Sequence, residues 1–377
     1  MTTKDYLSAI DELCVSAREL SAEAEAGRRL PPELAAAFGR AGLWRSCVPE
    51  SVGGRQDELV HVLSAIKRLA MADGAAGWCA MIGATSGFVY AYLDEAVGRE
   101  TFGADPDVCT GGVVAPTGRA RRADGGWRVE GRWSFCSGVE HSVWLSLGVI
   151  AATDPPDAFA VLVPTADVEI IDTWDVSGLR GTGSHDVALH DVFVPEERTF
   201  KLVGGAPRDG GLLYRFPIFG LLALGVACVG LGIAQDAIDE LTRLATEKTP
   251  SGSRRRLSER PHAQSEVARA TAELAAAENL VWHEVNLAWW ETGTGNPPDI
   301  AVRARLRLAA TNAARTAARV VDRMYDLGGG SSIYAKNRLQ RDFRDVHAVT
   351  QHLVVSPSTY ELAGRILLGV ETDVSQL

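Results

Sequence analysis

Two short stretches concentrate the residue types that can do chemistry. Trp174-Asp-Val-Ser-Gly-Leu-Arg-Gly-Thr-Gly-Ser184 crowds Gly178, Gly181 and Gly183 together with the hydroxyls of Ser177, Thr182 and Ser184, between apolar strand-like runs. Glycines let backbone N–H groups approach a ligand closely, and the hydroxyls add further donors. A glycine-rich β-turn without a ligand has the same composition. The second stretch is His347-Ala-Val-Thr-Gln-His352. An imidazole changes charge near neutral pH, so either histidine is suited to proton transfer. If one helix carries both, a spacing of five turns them about 140° apart, and only one of them faces a given cavity. A further Gly/Ser turn, Trp133-Ser-Phe-Cys-Ser-Gly138, lies upstream of the first stretch.

These segments need elements to hold them. From residue 4 to about residue 104 the pattern is helical, with Ala-rich stretches at Leu30 to Gly42 and Leu59 to Asp73 and a turn at Val48-Pro-Glu-Ser-Val-Gly-Gly54. Between about Val108 and Phe200 the chain alternates or runs apolar, as at Trp127 to Trp133, Leu145 to Ala152 and Ala158 to Val163, with turns at Asp124-Gly-Gly126 and Asp154-Pro-Pro-Asp157. This pattern predicts antiparallel strands. Helical periodicity returns at Ile218 and continues through Leu231 to Thr246, Glu266 to Trp290, Ile300 to Leu327, Arg341 to Gln351 and Thr359 to Leu368, which suggests a bundle. The expected organisation is an α-helical domain at 1–105, a central antiparallel β-sandwich or barrel at 106–205, and a C-terminal four-helix bundle at 206–377, an α+β fold.

A chain of 377 residues with 46% hydrophobic and 23% charged residues has the composition of a globular protein. Its formal net charge of −10 argues against a nucleic-acid partner, and the basic run Arg254-Arg255-Arg256 is short enough to be a solvated loop. The N-terminal residues carry no apolar secretory core. Phe216 to Ala234 is long enough for a membrane span, but Gly220, Gly225, Gly230 and Gly232 and the surrounding pattern favour a buried core helix. Cys14, Cys47, Cys79, Cys109, Cys136 and Cys228 form no CxxC pair, so thiols in a reducing cytoplasm fit better than disulfides or a metal site.

The whole chain resembles the acyl-CoA dehydrogenase superfamily, and within it the oxygenase components of two-component flavin-dependent monooxygenases. The marks are Val48 to Gly54, the Gly77-Trp78 pair, Trp133 to Gly138, Gly178 to Ser184, and Arg341-Asp-Phe-Arg-Asp345 with the histidines that follow. A dehydrogenase of this fold needs a carboxylate base. Eight residues beyond Asp345 stands Leu353, and Gly210 to Gln235, the other family location, contains no Asp or Glu. The resemblance therefore implies oxygen activation: reduced flavin from a separate NAD(P)H-dependent reductase, O2, and a C4a-hydroperoxyflavin that hydroxylates a small aromatic or polyketide-like molecule. The absence of a Rossmann glycine fingerprint agrees with a separate reductase. N-oxygenation of an amine or amino sugar, sulfoxidation, a dehydrogenase with its base elsewhere, and a non-catalytic flavin-binding protein are the alternatives.

The resemblance also assigns residues. His352 and Ser137 are the catalytic candidates, the first handling protons near the flavin C4a–N5 edge and the second meeting N5. Trp133 is expected beside the isoalloxazine ring. Arg180, Gly181, Thr182, Gly183 and Ser184 are expected around the flavin, and Arg260, Gly329, Gly330 and Ser331 are expected to reach a neighbouring subunit's cofactor in a homotetramer. Arg260 is followed by Pro261-His262-Ala263 in place of the Phe-Gly that helps hold FAD, which favours FMN, with FAD as the alternative. No histidine lies between Trp78 and His141 to meet a phenol, so the substrate candidates are Trp78, Ser86, Tyr90, His141 and His347. No metal is expected.

Overall fold

The computed structural model describes residues 3–103, 105, 107–295 and 298–377. Helices come first: α1 (Thr3–Gly27), α2 (Pro32–Arg40), α3 (Leu59–Ala72), α4 (Gly74–Ser86) and α5 (Glu95–Thr101). Then follow β1 (Thr110–Ala123), β2 (Gly126–Cys136), β3 (Trp144–Ala151), β4 (Asp157–Pro164), β5 (Glu169–Ile171), β6 (His185–Pro195) and β7 (Thr199–Phe200). After them come α6 (Leu212–Arg215), α7 (Ile218–Glu247), α8 (Pro261–Gly293), α9 (Ile300–Gly328), α10 (Arg338–Val349) and α11 (Ser358–Leu367). The chain packs as two compact units. One comprises Met1–Val62, Cys79–Val176 and Arg180–Ile218, and the other Leu63–Trp78, Ser177–Leu179 and Phe219–Leu377.

In the first unit all seven strands join one sheet in the order β5-β6-β2-β1-β3-β4-β7. The expected antiparallel pairing holds at every interface but one: β1 and β3 run parallel, so the sheet is mixed. The reason is local. Asp124 and Gly125, the latter with φ +73°, close a tight β1–β2 hairpin that occupies one edge of β1. The chain must then cross to the other edge, where it pairs in the same direction as β1. Strand β4 is a continuous apolar run because both its faces are buried. Phe159, Val161 and Val163 join the sheet core around Trp133, Leu147 and Val187. Ala160 and Leu162 join Val48, Val89, Val97 and Phe102 of the helical segment.

The second unit is built on α7, whose most apolar window is 78% buried, as befits a core helix. Gly232 lets α7 cross α3 backbone to backbone, since a Cβ there would lie 2.4 Å from the Lys67 carbonyl oxygen. Helices α8 and α9 pack along each other, and α10 and α11 pack on α9. The ends are capped where the sequence provides for it: Asp299 accepts from the Val302 N–H at 2.8 Å and Asn337 from the Leu339 N–H at 2.9 Å.

Charges are buried where α10 meets its neighbours. The Arg338 guanidinium donates to Asp236 at 2.6 Å and 2.8 Å and to the Ala72 carbonyl at 2.8 Å, while Arg341 lies 3.8 Å from Asp73. Burial, with Asp236 close by, pushes the Asp342 carboxyl well above the usual range.

Candidate active site

In the first unit, the end of β2 determines the local geometry. Its register with β6 slips between Trp133 and Cys136, and Phe135 takes φ +66°, a strained conformation for a bulky side chain. Phe135 is consequently turned outward, 71% exposed, and meets Trp174 edge to face at 6.2 Å. Ser137, two residues on, is buried. Its N–H donates to the Phe135 carbonyl at 2.9 Å, and the next N–H, of Gly138, donates to the Thr182 carbonyl at 2.9 Å. The 133–138 turn and the 180–184 turn are thus stitched together.

Their hydroxyls form a chain. Ser137 Oγ lies 2.7 Å from Ser184 Oγ, which lies 2.7 Å from Thr182 Oγ1, and all three residues are buried. Gly183 supplies φ +52° between Thr182 and Ser184, a conformation costly to any side chain with a Cβ. The site therefore offers uncharged donors and acceptors on a rigid frame.

Several expectations are corrected in this unit. Trp133 has no exposed surface: its indole N–H donates to the Gly148 carbonyl at 2.7 Å inside the sheet core, so it braces β3 and does not face a cofactor. The Arg180 guanidinium is spent on the Val176 carbonyl at 2.7 Å, Asp175 at 3.2 Å and the Glu25 carbonyl at 3.4 Å, and so anchors the loop to α1. Tyr90 is a core residue whose hydroxyl is within 2.9 Å of Thr110 Oγ1, and burial pushes its pKa up to about 12. His141 packs inside this unit: it stacks on Trp44 at 5.7 Å, and burial pushes its pKa down to about 4. Ser86 remains half-buried at the end of α4.

In the second unit, His347 is on α10 and bonds Asp322 of α9 through Nε2 at 2.9 Å, which ties its ring to the neighbouring helix. The helix ends at Val349, so the 140° estimate does not carry over to His352. His352 instead caps the short turn Leu353–Val355, its Nδ1 accepting the Val354 N–H at 3.3 Å. Nδ1 is then the acceptor, and in the neutral ring Nε2 carries the hydrogen. Burial, followed by the nearby Arg307 guanidinium, holds the pKa below the ordinary histidine value. Arg307 itself donates to the Val354 carbonyl at 3.2 Å and to the Gln376 carbonyl. Trp78 lies beside His352, with ring centroids 5.6 Å apart. Nothing in the local sequence pattern signalled Arg307, because it reaches this turn from the first third of α9, far away in the chain.

Gly178 also proves structural. A Cβ there would sit 2.1 Å from the Arg344 carbonyl oxygen, and the Leu179 N–H donates to Asp345 at 2.6 Å, so this half of the glycine-rich stretch docks on α10. At the end of α9 the Gly329 N–H is taken by the Tyr325 and Asp326 carbonyls, and Lys248 donates to Ser331 Oγ at 2.8 Å. That turn offers fewer free donors than its composition promises, although Gly330 is exposed, as is Arg260 beside α8. Leu353, at the position where a dehydrogenase base was sought, is an exposed apolar side chain.

Comparison with known proteins accords with this geometry. Residues 224–357 match the family described as "Acyl-CoA dehydrogenase, C-terminal domain". The chain is 34% identical over 345 residues to an indole-3-acetate monooxygenase of Pseudomonas putida, covering 91% of this chain and 88% of that one. This chain belongs to the flavin-dependent monooxygenases of the acyl-CoA dehydrogenase superfamily. It is 29% identical to the oxygenase component of an FADH(2)-dependent resorcinol hydroxylase of Rhizobium sp. (strain MTP-10005), covering 94% of this chain and 91% of that one. The crystal structure of 3-HSA hydroxylase from Rhodococcus sp. RHA1 superposes with a TM-score of 0.92 at 27% identity, covering 99% of both chains. The fold is therefore the acyl-CoA dehydrogenase-like one, and the chain is an enzyme, a flavin-dependent oxygenase component. The neutral hydroxyl chain fits the polar edge of a flavin.

Proposed function

We propose that this chain hydroxylates an aromatic ring, using O2 and reduced flavin delivered by a separate NAD(P)H-dependent reductase. The bound flavin would supply the oxygen-activating chemistry, and the protein would supply orientation, proton handling and exclusion of water. The observation that carries this reading is the buried hydroxyl chain ending at Ser137, which offers uncharged hydrogen-bonding groups, together with the apolar Leu353 at the position where a dehydrogenase base was sought in the sequence. Ser137 is proposed to meet the flavin N5 edge. His352, neutral at physiological pH and carrying its hydrogen on Nε2, is proposed to exchange protons during the reaction. Gly181 and Gly183 are proposed to bring backbone close to the flavin, and Trp78 and Ser86 are kept as substrate contacts.

Arg260 and Gly330 are exposed and are proposed to serve a neighbouring subunit's cofactor in a homotetramer, a reading also supported by exposed Trp290, Ile333 and Tyr334 in the second unit. FMN is favoured by the residues after Arg260, with FADH2 the alternative supported by the resorcinol-hydroxylating relative. Cysteines without disulfides support a cytoplasmic location. The test supplies reduced FMN or reduced FAD, labelled O2 and a panel containing indole-3-acetate, resorcinol and an acyl-CoA. Labelled oxygen should enter an aromatic product with one of the two flavins. Reduction of bound oxidised flavin by the acyl-CoA, with no oxygen incorporated into any aromatic, would refute the proposal.

A further inference from the structure

The role proposed for Ser137 leaves unexplained the two hydroxyls stacked behind it. Ser184 Oγ sits 2.7 Å from both Ser137 Oγ and Thr182 Oγ1. A hydroxyl has a single hydrogen, so Ser184 can donate to only one of these neighbours and must accept from the other. The two bonds are therefore coupled: reversing one reverses the other. Ser184 stands between Ser137 and Thr182, one hydroxyl behind the flavin contact proposed for Ser137, although the resemblance placed Ser184 and Thr182 themselves at the cofactor.

The frame around them leaves little freedom. The Thr182 carbonyl accepts the Gly138 N–H at 2.9 Å, the Gly138 carbonyl accepts the Ser142 hydroxyl at 2.9 Å, and the His185 N–H closes on the Gly183 carbonyl at 2.8 Å. The backbone on both sides of Ser184 is thus tied down by hydrogen bonds. Its hydrogen remains the movable part.

We propose that Ser184 is a positioning residue: its hydroxyl sets the direction of the Ser137 O–H, and so whether Ser137 gives or takes the hydrogen bond at the flavin edge. This rests on the reading that Ser137 meets the flavin. Thr182 is the next hydroxyl of the same relay. A carboxylate behind Ser137 could only accept; a hydroxyl permits both directions, which suits a ring nitrogen that carries a hydrogen in the reduced flavin and none in the oxidised flavin.

The test uses the full-length protein and its Ser184→Ala, Ser184→Cys, Ser137→Ala and Ser137→Ala/Ser184→Ala variants. Two readouts are taken: the visible band of bound oxidised FMN, and the rate of hydrogen peroxide release after mixing with reduced FMN in air-saturated buffer without substrate. Loss of one hydrogen bond predicts that Ser184→Ala speeds peroxide release about 3- to 10-fold and shifts the visible band, with the FMN dissociation constant within about twofold. Ser184→Cys, close in shape and weaker as a donor, should fall between the two, which guards against a folding defect in the alanine variant. In the Ser137→Ala background the second substitution should add nothing. A Ser184→Ala protein like the wild type, beside a Ser137→Ala protein that differs, overturns the relay and leaves the Ser137 reading standing. An undiminished Ser184→Ala effect in the Ser137→Ala background also overturns it, by showing that Ser184 acts through packing. A Ser137→Ala protein identical to the wild type removes the Ser137 reading and the relay with it.

Discussion

His141 should make the first unit sensitive to mild acid. The imidazole is packed under Trp44, and its Nε2 would lie 2.7 Å from a Cβ added to Gly138, so the ring itself is enclosed even though the residue retains some exposed surface. Burial lowers its pKa from 6.5 to about 4. Between these values the unfolded chain binds the extra proton and the folded chain does not. Stability is therefore full above the unfolded pKa and is lost as the pH falls toward the folded one. The ratio of the two binding polynomials gives a loss of about 2 kcal/mol at about pH 5, approaching about 3 kcal/mol at still lower pH. His141→Phe keeps a ring against Trp44 and removes the titration; His141→Gln is a second, smaller replacement. Urea unfolding of each protein at about pH 7.5 and about pH 5 isolates this residue, because the other titrating groups cancel in the comparison. The wild type should lose about 2 kcal/mol more than either variant on acidification. Parallel pH profiles for all three proteins would refute the reasoning.

Other substitutions test other parts of the structure. Gly178→Ala should destabilise the second unit by about 3 kcal/mol, since the new methyl meets the Arg344 carbonyl, and hydrogen exchange should show faster exchange of the Leu179 amide. Arg338→Met leaves Asp236 buried without its guanidinium and should cost about 3–5 kcal/mol in denaturant unfolding, with much of the loss recovered when Asp236→Leu is added. His352→Ala should lower aromatic hydroxylation on the order of 10²-fold, whereas His347→Ala, which only breaks the pair with Asp322, should stay within about twofold. Because the His352 pKa is held below the ordinary histidine value, the imidazole stays neutral until the pH falls below about 6.5, and the acid limb of the pH–rate profile should lie under that value.

The order of elements and the location of the two loops were legible because they depend on local chemistry. Apolar periodicity distinguishes α7 from β4, the Asp124-Gly125 pair announces a hairpin, and the crowding of Gly178 to Ser184 marks a loop with close contacts. The absence of an acid in Gly210 to Gln235 is likewise a fact of sequence, and it turned the argument from dehydrogenation to oxygen activation. Composition alone could not assign roles within those loops.

Those roles came from tertiary structure. Gly178 and Gly183 look alike in sequence, yet one admits a helix backbone and the other supplies a left-handed turn that brings two hydroxyls together. Trp133 and Phe135 are two residues apart, where strand alternation would put them on one face, but a register slip leaves the first in the core and the second outside. His347 and His352 are separated by the end of a helix that periodicity carried too far, and each is placed by residues distant in the chain, His347 by its hydrogen bond to Asp322 and His352 by burial beside Trp78 and Arg307. Sequence determined which groups are available and roughly where the chain bends. Only the folded structure decided which are buried and which are paired, because burial, hydrogen-bond direction and pKa depend on neighbours brought together from far along the chain.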